Sequence, residues 1–418
     1  MFDFVTLGDN ITIQKGKAPL LTGYSDSGAK PYLNPEYLRG RGSAELARPG
    51  SDSVHASDED TILLWDGSNA GEFFRAKYGL VASTMAKVTP NSRFNTTYFF
   101  HVTKHAETYL KSQTNGTGIP HVDRELLEAI RVFCPVPLEQ LRLAQILDTL
   151  DTAIVQTEAI IAKLKAVKQG LLHDLLTRGI DTNGELRPTQ VEAPQLYKES
   201  PLGWIPREWE VAALVDLSES LVDGPFGSNL KTAHYVENPG VRVVRLQNIL
   251  QDEYDDSERA FVSERHAASL SKNRVVGGDV LIASLGDYNY PVGRSCCYPA
   301  ELPDAVNKAD CFRFRANARC QNEFVMHSLN GATARKQARS YEQGVTMKRI
   351  NLGNLRRIGI KLPSKFEQAL IVERMVAARQ RLEVTGLEYV KLWSEKSGLM
   401  DDLLTGRVRV TPLLAAAS

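Results

Sequence analysis

The sequence predicts a mixed α/β (α+β) protein built as a tandem repeat of two loop-rich globular domains, each followed by a long helix. Residues 139–177 recur without a gap as residues 367–405, displaced by 228 positions, and 12 of the 39 positions are identical. Structural units of solenoid proteins are about 50 residues or shorter, so a repeat at this distance indicates two copies of a whole domain with its helix.

Both repeated segments have the periodicity of a coiled coil. In the first, steps of three and four residues select Leu143, Leu147, Leu150, Ile154, Thr157, Ile161, Leu164, Lys168, Leu171 and Leu175. The second segment has its two polar positions, Thr385 and Lys396, at the same places in the pattern. A narrow apolar stripe of this length predicts helices that pair along a seam. The polar pairs are interpreted as register devices, although the lysines alternatively cover the seam with their stems and hold their ammonium groups in water.

Short strand-like runs and turn residues indicate the two globular domains. Examples of the runs are residues 241–246, 279–283 and 357–362, and they are bounded by Gly, Asn and Pro. The predicted boundaries are a first domain at 1–136, a first long helix at 137–180, a linker at 181–200, a second domain at 201–362, a second long helix at 363–406 and a tail at 407–418.

Composition excludes several classes of function. The net charge is zero, with 50 basic and 50 acidic residues, and no apolar run is long enough to span a membrane. The five cysteines lack the spacing of a zinc site, so we expect no metal, and their odd number fits a cytoplasmic protein with reduced thiols. Phosphate loops, dinucleotide fingerprints and hydrolase elbows are missing from the sequence, and His101 and His105 lack a third ligand. Catalysis by this chain alone is therefore not expected.

The remaining features favour recognition of DNA. Residues 65–71, 223–231 and 285–290 are turn-forming loops with Ser, Asn, Lys and Tyr side chains, and residues 331–361 carry eight basic side chains against one acid. Asn and Gln can form two hydrogen bonds with adenine, while Arg and Lys reach guanine or phosphates. The alternative is that these loops are tight turns whose polar groups satisfy their own backbone.

Several motifs together resemble the specificity subunits of type I restriction-modification systems. In the second half these are Pro201-Leu-Gly-Trp-Ile-Pro-Arg-Glu-Trp-Glu-Val, Val241-Arg-Val-Val-Arg-Leu-Gln-Asn-Ile and Val276-Gly-Gly-Asp-Val-Leu-Ile-Ala. In the first half Trp65-Asp-Gly-Ser-Asn-Ala-Gly and Gly79-Leu-Val-Ala-Ser-Thr-Met are similar to the same family's pattern. The first half lacks the Trp-rich opening, which suggests a trimmed edge strand or a different start codon.

The resemblance implies a non-catalytic subunit with two target recognition domains separated by an antiparallel helix pair. Each domain would read one half of a split, asymmetric target in double-stranded DNA, and the helices would set the spacer and dock two methyltransferase subunits. No cofactor is expected on this chain, since S-adenosylmethionine and ATP would be bound by the methyltransferase and the motor and nuclease subunits. The candidate DNA-binding residues are Lys15, Lys17, Trp65, Ser68, Asn69, Ser228, Asn229, Lys231, Arg245, Gln247, Asn248, Tyr288, Asn289, Tyr290, Thr346 and Lys348.

Two other classes compete with this interpretation. A coiled-coil adaptor that binds no DNA would not need two loop-rich domains with different interiors. A fused restriction and methylation enzyme would need a methyltransferase motif, which the sequence lacks. The bases of the target do not follow from the sequence, because DNA shape and deformability contribute to recognition.

Overall fold

A computed structural model describes residues 4–18, 20–22, 27–113, 120–225, 229–237 and 240–412. The chain divides into two compact units. The first consists of residues 1–160 and 385–418, and the second of residues 161–384. Among the described residues, no helix has the length and apolar character needed to cross a membrane.

The described residues of the first unit form eleven strands, three short or medium α-helices and parts of two long helices. Its strands are β1 (Phe4–Thr6), β2 (Ile11–Lys15), β3 (Leu20–Thr22), β4 (Lys30–Leu33), β5 (Glu45–Arg48), β6 (His55–Ala56), β7 (Thr61–Leu64), β8 (Phe73–Arg75), β9 (Gly79–Val81), β10 (Met85–Pro90) and β11 (Arg131–Phe133). Its helices are α1 (Pro35–Leu38), α2 (Thr96–Ser112) and α3 (Arg124–Ala129), followed by the start of α4 (Pro137–Thr177).

The second unit has a larger set of elements. Its strands are β12 (Tyr197–Lys198), β13 (Ile205–Pro206), β14 (Glu210–Ala213), β15 (Ser218–Val222), β16 (Tyr235–Val236), β17 (Val241–Val244), β18 (Phe261–Val262), β19 (Arg274–Val275), β20 (Val280–Ala283), β21 (Leu285–Gly286), β22 (Ser295–Cys297), β23 (Ala305–Asn307), β24 (Cys311–Ala316), β25 (Lys348–Arg349) and β26 (Gly359–Leu362). Its helices are α5 (Glu264–Ser269), α6 (Asn322–Asn330), α7 (Ala332–Tyr341), α8 (Leu352–Arg356) and the start of α9 (Lys365–Leu403).

The two units share one sheet topology. The four-stranded sheets run β2-β10-β7-β8 and β15-β24-β20-β22, and the five-stranded sheets run β3-β5-β4-β9-β6 and β16-β18-β17-β23-β19. The parallel pairs of named strands also correspond between the described parts of the two units, β4 with β9 and β17 with β23. The mixed fold and the tandem repeat are therefore confirmed, and the common topology extends into domain interiors where the two sequences no longer match.

The first domain has the edge strand that its missing Trp-rich opening put in doubt. Strand β1 pairs with β11, as β14 pairs with β26 in the second domain. The edge strand is therefore present in the first domain, with three residues in β1 and four in β14. What the Trp-rich opening adds in the second domain is the small β12–β13 pair and Trp209, whose side chain is fully buried.

The long helices pair in opposite directions within each unit. In the first unit Leu143 and Leu147, near the start of α4, share a core with Leu403, at the end of α9. In the second unit Leu175, near the end of α4, shares a core with Ile371, near the start of α9. All ten seam positions of each repeated segment are buried or half-buried. The predicted seam and the antiparallel pairing are thus both present.

The identical Glu-Gln pairs at the helix starts anchor each helix to its own domain. The Gln140 side chain accepts from the Asn95 amide at 2.8 Å and donates to the carbonyls of Arg93 and Pro135 at 3.0 and 2.8 Å. Gln368 repeats this pattern with Gln321, Arg319 and Pro363 at 3.0, 3.2 and 3.0 Å. Buried polar groups are costly without partners, so these bonds explain why the amides are identical in both copies.

The adjacent glutamates are held by arginines from the segments that follow the long helices. Arg409, after α9, donates to both carboxylate oxygens of Glu139. Arg187, after α4, donates to both oxygens of Glu367. The segments that the sequence analysis took as a tail and a linker therefore each supply a guanidinium to a helix start.

Candidate DNA interface

Three loops of the second domain converge on one groove. They are the loop after β17, the loop after β20, and the residues before β25, which meets β21 through the pairs Leu285–Arg349 and Gly286–Lys348. The groove has a volume of about 410 Å³. Its lining residues are Leu246, Gln247, Leu250, Asp255, Leu285, Gly286, Asp287, Tyr290, Arg294 and Met347.

A buried arginine joins two of these loops. Arg294 is 4% exposed, and it donates to the carbonyls of Leu246 and Ile249 in one loop at 3.1 and 2.7 Å. It also donates to those of Leu285 and Tyr290 in the other loop at 2.9 and 3.2 Å. Burial lowers the pKa of Arg294, because no carboxylate hydrogen-bonds to it among the described residues. The planar guanidinium thus fixes the backbone that carries the candidate reading side chains.

The loop after β20 presents exposed aromatic side chains. Tyr288 is 98% exposed and Tyr290 is 54% exposed, and Asn289 between them is also exposed. The Asp287 carboxylate accepts from the amides of Asn289 and Tyr290, both at 2.8 Å. The aspartate therefore stabilises the turn, while the Tyr and Asn side chains extend into solvent, as expected for residues that contact a ligand.

The loop after β17 contributes differently from the prediction. Gln247 is exposed, but its amide donates to the Glu258 carboxylate at 2.6 Å, which also lies 3.4 Å from Arg245. Asn248 is 2% exposed and donates to the carbonyls of Asp255 and Glu258 at 2.8 and 2.9 Å. Asn248 is therefore corrected from a DNA contact to a residue that holds its own loop, because both amide hydrogens are already donated. Gln247 and Arg245 remain candidates, and both contact Glu258 in the structure.

The remaining candidates of the second domain fall in two places. Thr346 is exposed and Lys348 is half-buried, and both lie in the segment that reaches β21. Asn229 and Lys231 are exposed in another loop, where the Asn229 carbonyl lies 2.8 Å from the His266 ring. Ser228 lies outside the described residues.

In the first domain the candidates gather around the loop after β7, which corresponds to the loop after β20. Ser68 and Asn69 are exposed, whereas Trp65 is half-buried against the domain core. Lys15 lies 2.8 Å from Asp66 in this loop, and Lys17 lies 3.7 Å from Asp52. Lys15 is thereby brought to the same loop as Ser68 and Asn69.

Of the eight basic side chains at 331–361, Arg335 and Lys361 are directed into the fold, whereas five are exposed, namely Lys336, Arg339, Arg349, Arg356 and Arg357. Arg335 donates to the Val292 carbonyl at 2.6 Å and Lys361 to the Trp204 carbonyl at 3.3 Å. Burial lowers the pKa of Arg335 to about 10 and also lowers the pKa of Lys361. Arg335 and Lys361 therefore serve internal contacts and do not add to the exposed basic surface of this segment.

The seam lysines are both paired with carboxylates. Lys396 binds Asp151 of α4 in the first unit, and Lys168 lies 3.0 Å from Asp252 in the second unit. The alternative in which both ammonium groups reach water is therefore wrong. Thr157 is buried and Thr385 is half-buried.

A cluster of His101, Asp148 and Asp151 in the first unit has the spacing of metal ligands. Arg75 lies 2.6 Å from Asp148, and Lys396 binds Asp151, so both carboxylates already have cationic partners. Burial lowers the pKa of His101 despite its 2.8 Å contact with Asp148. We interpret the cluster as a charge network that joins helices α2, α4 and α9.

Sequence reasoning missed Arg294 and the role of Glu258. An arginine that binds only carbonyls has no motif that distinguishes it from a surface arginine. Glu258 lies in the acidic run 252–258. That run is the sequence feature from which a carboxylate contact in this region could have been predicted.

Comparison with known proteins identifies the family. The model of the type I restriction modification DNA specificity domain matches residues 1–166 and 206–387. The type I restriction enzyme MjaVIII specificity subunit of Methanocaldococcus jannaschii is 30% identical in an alignment of 427 positions that covers 99% of this chain and 94% of that protein. The EcoBI specificity subunit of Escherichia coli is 22% identical, over 81% of this chain and 71% of that protein.

A crystal structure has the same fold across nearly the whole chain. The type I system S subunit from M. genitalium superposes with a TM-score of 0.58 at 15% identity, covering 97% of this chain and 96% of that one. The chain belongs to the family of type I restriction-modification specificity subunits, which are non-catalytic components of multisubunit systems.

Proposed function

We propose that each domain of this specificity subunit reads one half of a bipartite, asymmetric target in double-stranded DNA. The observation that carries the proposal is the shared topology combined with different loops at matching places. Strands β7 and β20 occupy the same position in the two sheets. The loop after β7 presents Ser68 and Asn69, whereas the loop after β20 presents Tyr288 and Asn289. One frame with two sets of exposed side chains is suited to reading two different sequences.

The long helices are proposed to dock two methyltransferase subunits and to set the spacer between the half-sites. In the first unit several large apolar side chains of these helices are exposed, namely Val155, Ile160, Leu387, Val390 and Trp393. Apolar groups in such numbers on long helices favour a protein partner. An α-helix rises about 1.5 Å per residue, so each of α4 and α9 has a length that its number of residues fixes. This length would set the spacer.

The chemistry is assigned to the partners in this proposal. S-adenosylmethionine would be bound by the methyltransferase subunits and ATP by the motor and nuclease subunits, with no cofactor on this chain. The complex would act in the cytoplasm, where its DNA target lies. The five cysteines, all free thiols, are consistent with a reducing compartment.

The half-site assignment is tested by sequencing methylated adenines in cells that express the chain with its methyltransferase partner. Ser68→Ala with Asn69→Ala should relax or change one half-site, and Gln247→Ala with Tyr288→Ala should change the other. A lost bidentate base contact costs about 1–3 kcal/mol. Each pair of substitutions is the control for the other, and changes that always affect both half-sites would contradict separate reading.

Docking is tested separately. Leu387→Asp and Val390→Asp should prevent co-purification with the methyltransferase subunit, because both side chains are exposed and apolar. Glu388→Ala, between them and also exposed, is the matched control. If the chain binds no DNA even with its partners but still assembles with them, the coiled-coil adaptor would be the better description.

A further inference from the structure

A second pocket of the second domain is lined by four basic side chains. It lies beside strands β15, β19 and β24 and has a volume of about 410 Å³. Its lining residues are Ser220, Val222, Ser271, Lys272, Arg274, Val276, Arg313 and Arg315. None of them lines the groove described above, so this pocket is a separate feature.

Arg313 in this pocket is buried without a carboxylate partner. It is 4% exposed, and its Nη2 donates to Ser220 Oγ and to the Lys272 carbonyl at 3.2 and 3.1 Å. Its Nε and Nη1 have no hydrogen-bond partner among the described residues. A buried guanidinium with two unsatisfied donors is costly unless an acceptor is supplied. Burial correspondingly lowers the pKa of Arg313.

The first domain shows how the same position is neutralised by the protein. Lys87 of β10 is opposite Ile62, as Arg313 of β24 is opposite Leu281, so the two cations occupy equivalent positions. Lys87 lies 2.7 Å from Asp60, the residue that immediately precedes β7. It also donates to the His55 carbonyl at 3.3 Å. The first domain therefore has one cation and one acid at this place.

In the second domain the acid at the equivalent position, Asp279, is paired with a different arginine, Arg315. Asp279 immediately precedes β20, as Asp60 precedes β7, and it binds Arg315 in a bidentate pair with both distances 2.8 Å. Asp279 still lies near Arg313 electrostatically, as does the exposed Glu219, but neither hydrogen-bonds to it. The positive charge of Arg313 is thus not balanced by a hydrogen-bonded carboxylate.

The other cations of the pocket add to this excess. Arg274 is paired with Asp304 through a 2.7 Å hydrogen bond. Lys272 is exposed and forms no ion pair within the described part of the chain. Two of the four cations, Arg313 and Lys272, are therefore not matched by a bonded acid, and the hydroxyls of Ser220 and Ser271 offer further donors beside them.

We propose that this pocket binds a phosphate group, with Arg313 and Lys272 supplying the charge. Guanidinium groups bind phosphate oxygens through paired hydrogen bonds, and a lysine beside them acts as a point charge. Small side-chain movements would direct the unsatisfied nitrogens of Arg313 to the anion. The source is either a DNA phosphodiester or free phosphate. The proposal does not depend on sequence reading by the groove, because the free-phosphate arm of the test contains no DNA.

The first arm of the test is calorimetric titration of the full chain with inorganic phosphate at constant ionic strength. Arg313→Met and Lys272→Ala should each weaken phosphate binding by about tenfold or more, the usual worth of a charge-assisted hydrogen bond. Lys87→Met, at the equivalent place in the first domain, should leave it unchanged because Asp60 already occupies that position. Since Lys272 is exposed, its variant keeps the test valid if Arg313→Met fails to fold.

The second arm measures DNA affinity of the chain with its partners as a function of salt. If the pocket takes a backbone phosphate, Lys272→Ala should weaken binding equally for all sequences and reduce the salt slope by about one. Phosphate binding with unchanged DNA affinity would identify free phosphate as the ligand. Absence of phosphate binding by the wild-type chain together with unchanged DNA binding by both variants would overturn the proposal.

Discussion

The two Arg–Glu pairs at the helix starts should differ in their contribution to stability. The Glu367 side chain is 7% exposed and its partner Arg187 is 11% exposed. Besides Arg187, Glu367 accepts from Trp209 Nε1 at 3.0 Å and from the Ile180 amide at 2.8 Å. Arg187→Met would leave a buried carboxylate with two neutral donors only. Removing one partner of a buried pair costs about 3–5 kcal/mol, so we expect a loss of this size.

The matched control is the equivalent pair of the first unit. Arg409 is 37% exposed although its partner Glu139 is fully buried. In Arg409→Met water can reach the carboxylate by the path that the arginine occupied. We therefore expect a smaller loss of about 1.5–3 kcal/mol, the range for a hydrogen bond to a charged group.

Urea unfolding monitored by circular dichroism and by tryptophan fluorescence measures both losses, since Trp209 reports directly on the second unit. A double variant, Arg187→Met with Glu367→Gln, should recover part of the stability, because no charge remains buried, while the single amide oxygen accepts from only one of Trp209 and the Ile180 amide. Losses below about 1 kcal/mol in both single variants, or no recovery in the double variant, would refute the reasoning that burial decides the energy of these pairs.

Three further predictions concern single positions. Burial alone would raise the pKa of Asp252, but His327 and Lys168 hold it well below the ordinary value of 3.8. Its stabilisation is present above about pH 3.8 and is lost as the pH falls, so Asp252→Asn should lower the melting temperature at pH 7 and flatten its decline on acidification. Gly179→Ala should destabilise strongly, because φ is +66° and a Cβ would lie 2.1 Å from Glu367 Oε1; Gly184→Ala, with φ of +83° and open space, should cost only about 1 kcal/mol in the same melting assay. Arg294→Met should change recognition of one half-site in the methylation assay while leaving the other intact, and loss of both would contradict a local role.

The repeated helices were predictable because their identical residues serve internal bonds. Gln140 and Gln368 each join a helix start to the chain before it, through three equivalent backbone partners. Such a requirement is local and the same in both copies, so the sequence retains it. The apolar seam is likewise a periodic pattern that does not depend on the rest of the fold.

The candidate DNA-binding loops were less predictable. In the sequence, a polar residue in a turn looks the same whether its side chain faces solvent or bonds to its own backbone. Asn248 and Asn289 both lie in loops with turn residues, yet the first is 2% exposed and the second is exposed. The two cases are separated by the tertiary contacts of the Asn248 side chain, which donates to the carbonyls of Asp255 and Glu258. Residue type alone therefore does not show which side chains of a loop are exposed.

The charge networks at the long helices use equivalent histidines and lysines in the two units. His101 and His327 each lie six residues after the N-cap of their helix, and Lys396 and Lys168 are equivalent in the long helices.

The acids of these two networks come from different elements. In the first unit they are Asp148 and Asp151 of α4, whereas in the second unit the acid is Asp252 in a loop of the domain. A buried lysine needs a carboxylate nearby but does not specify which segment supplies it. Both copies therefore contain the lysine and the histidine, and in each copy these groups are paired with acids from a different element. The exchange of Asp60–Lys87 for Asp279–Arg315, which leaves Arg313 unmatched, follows the same logic.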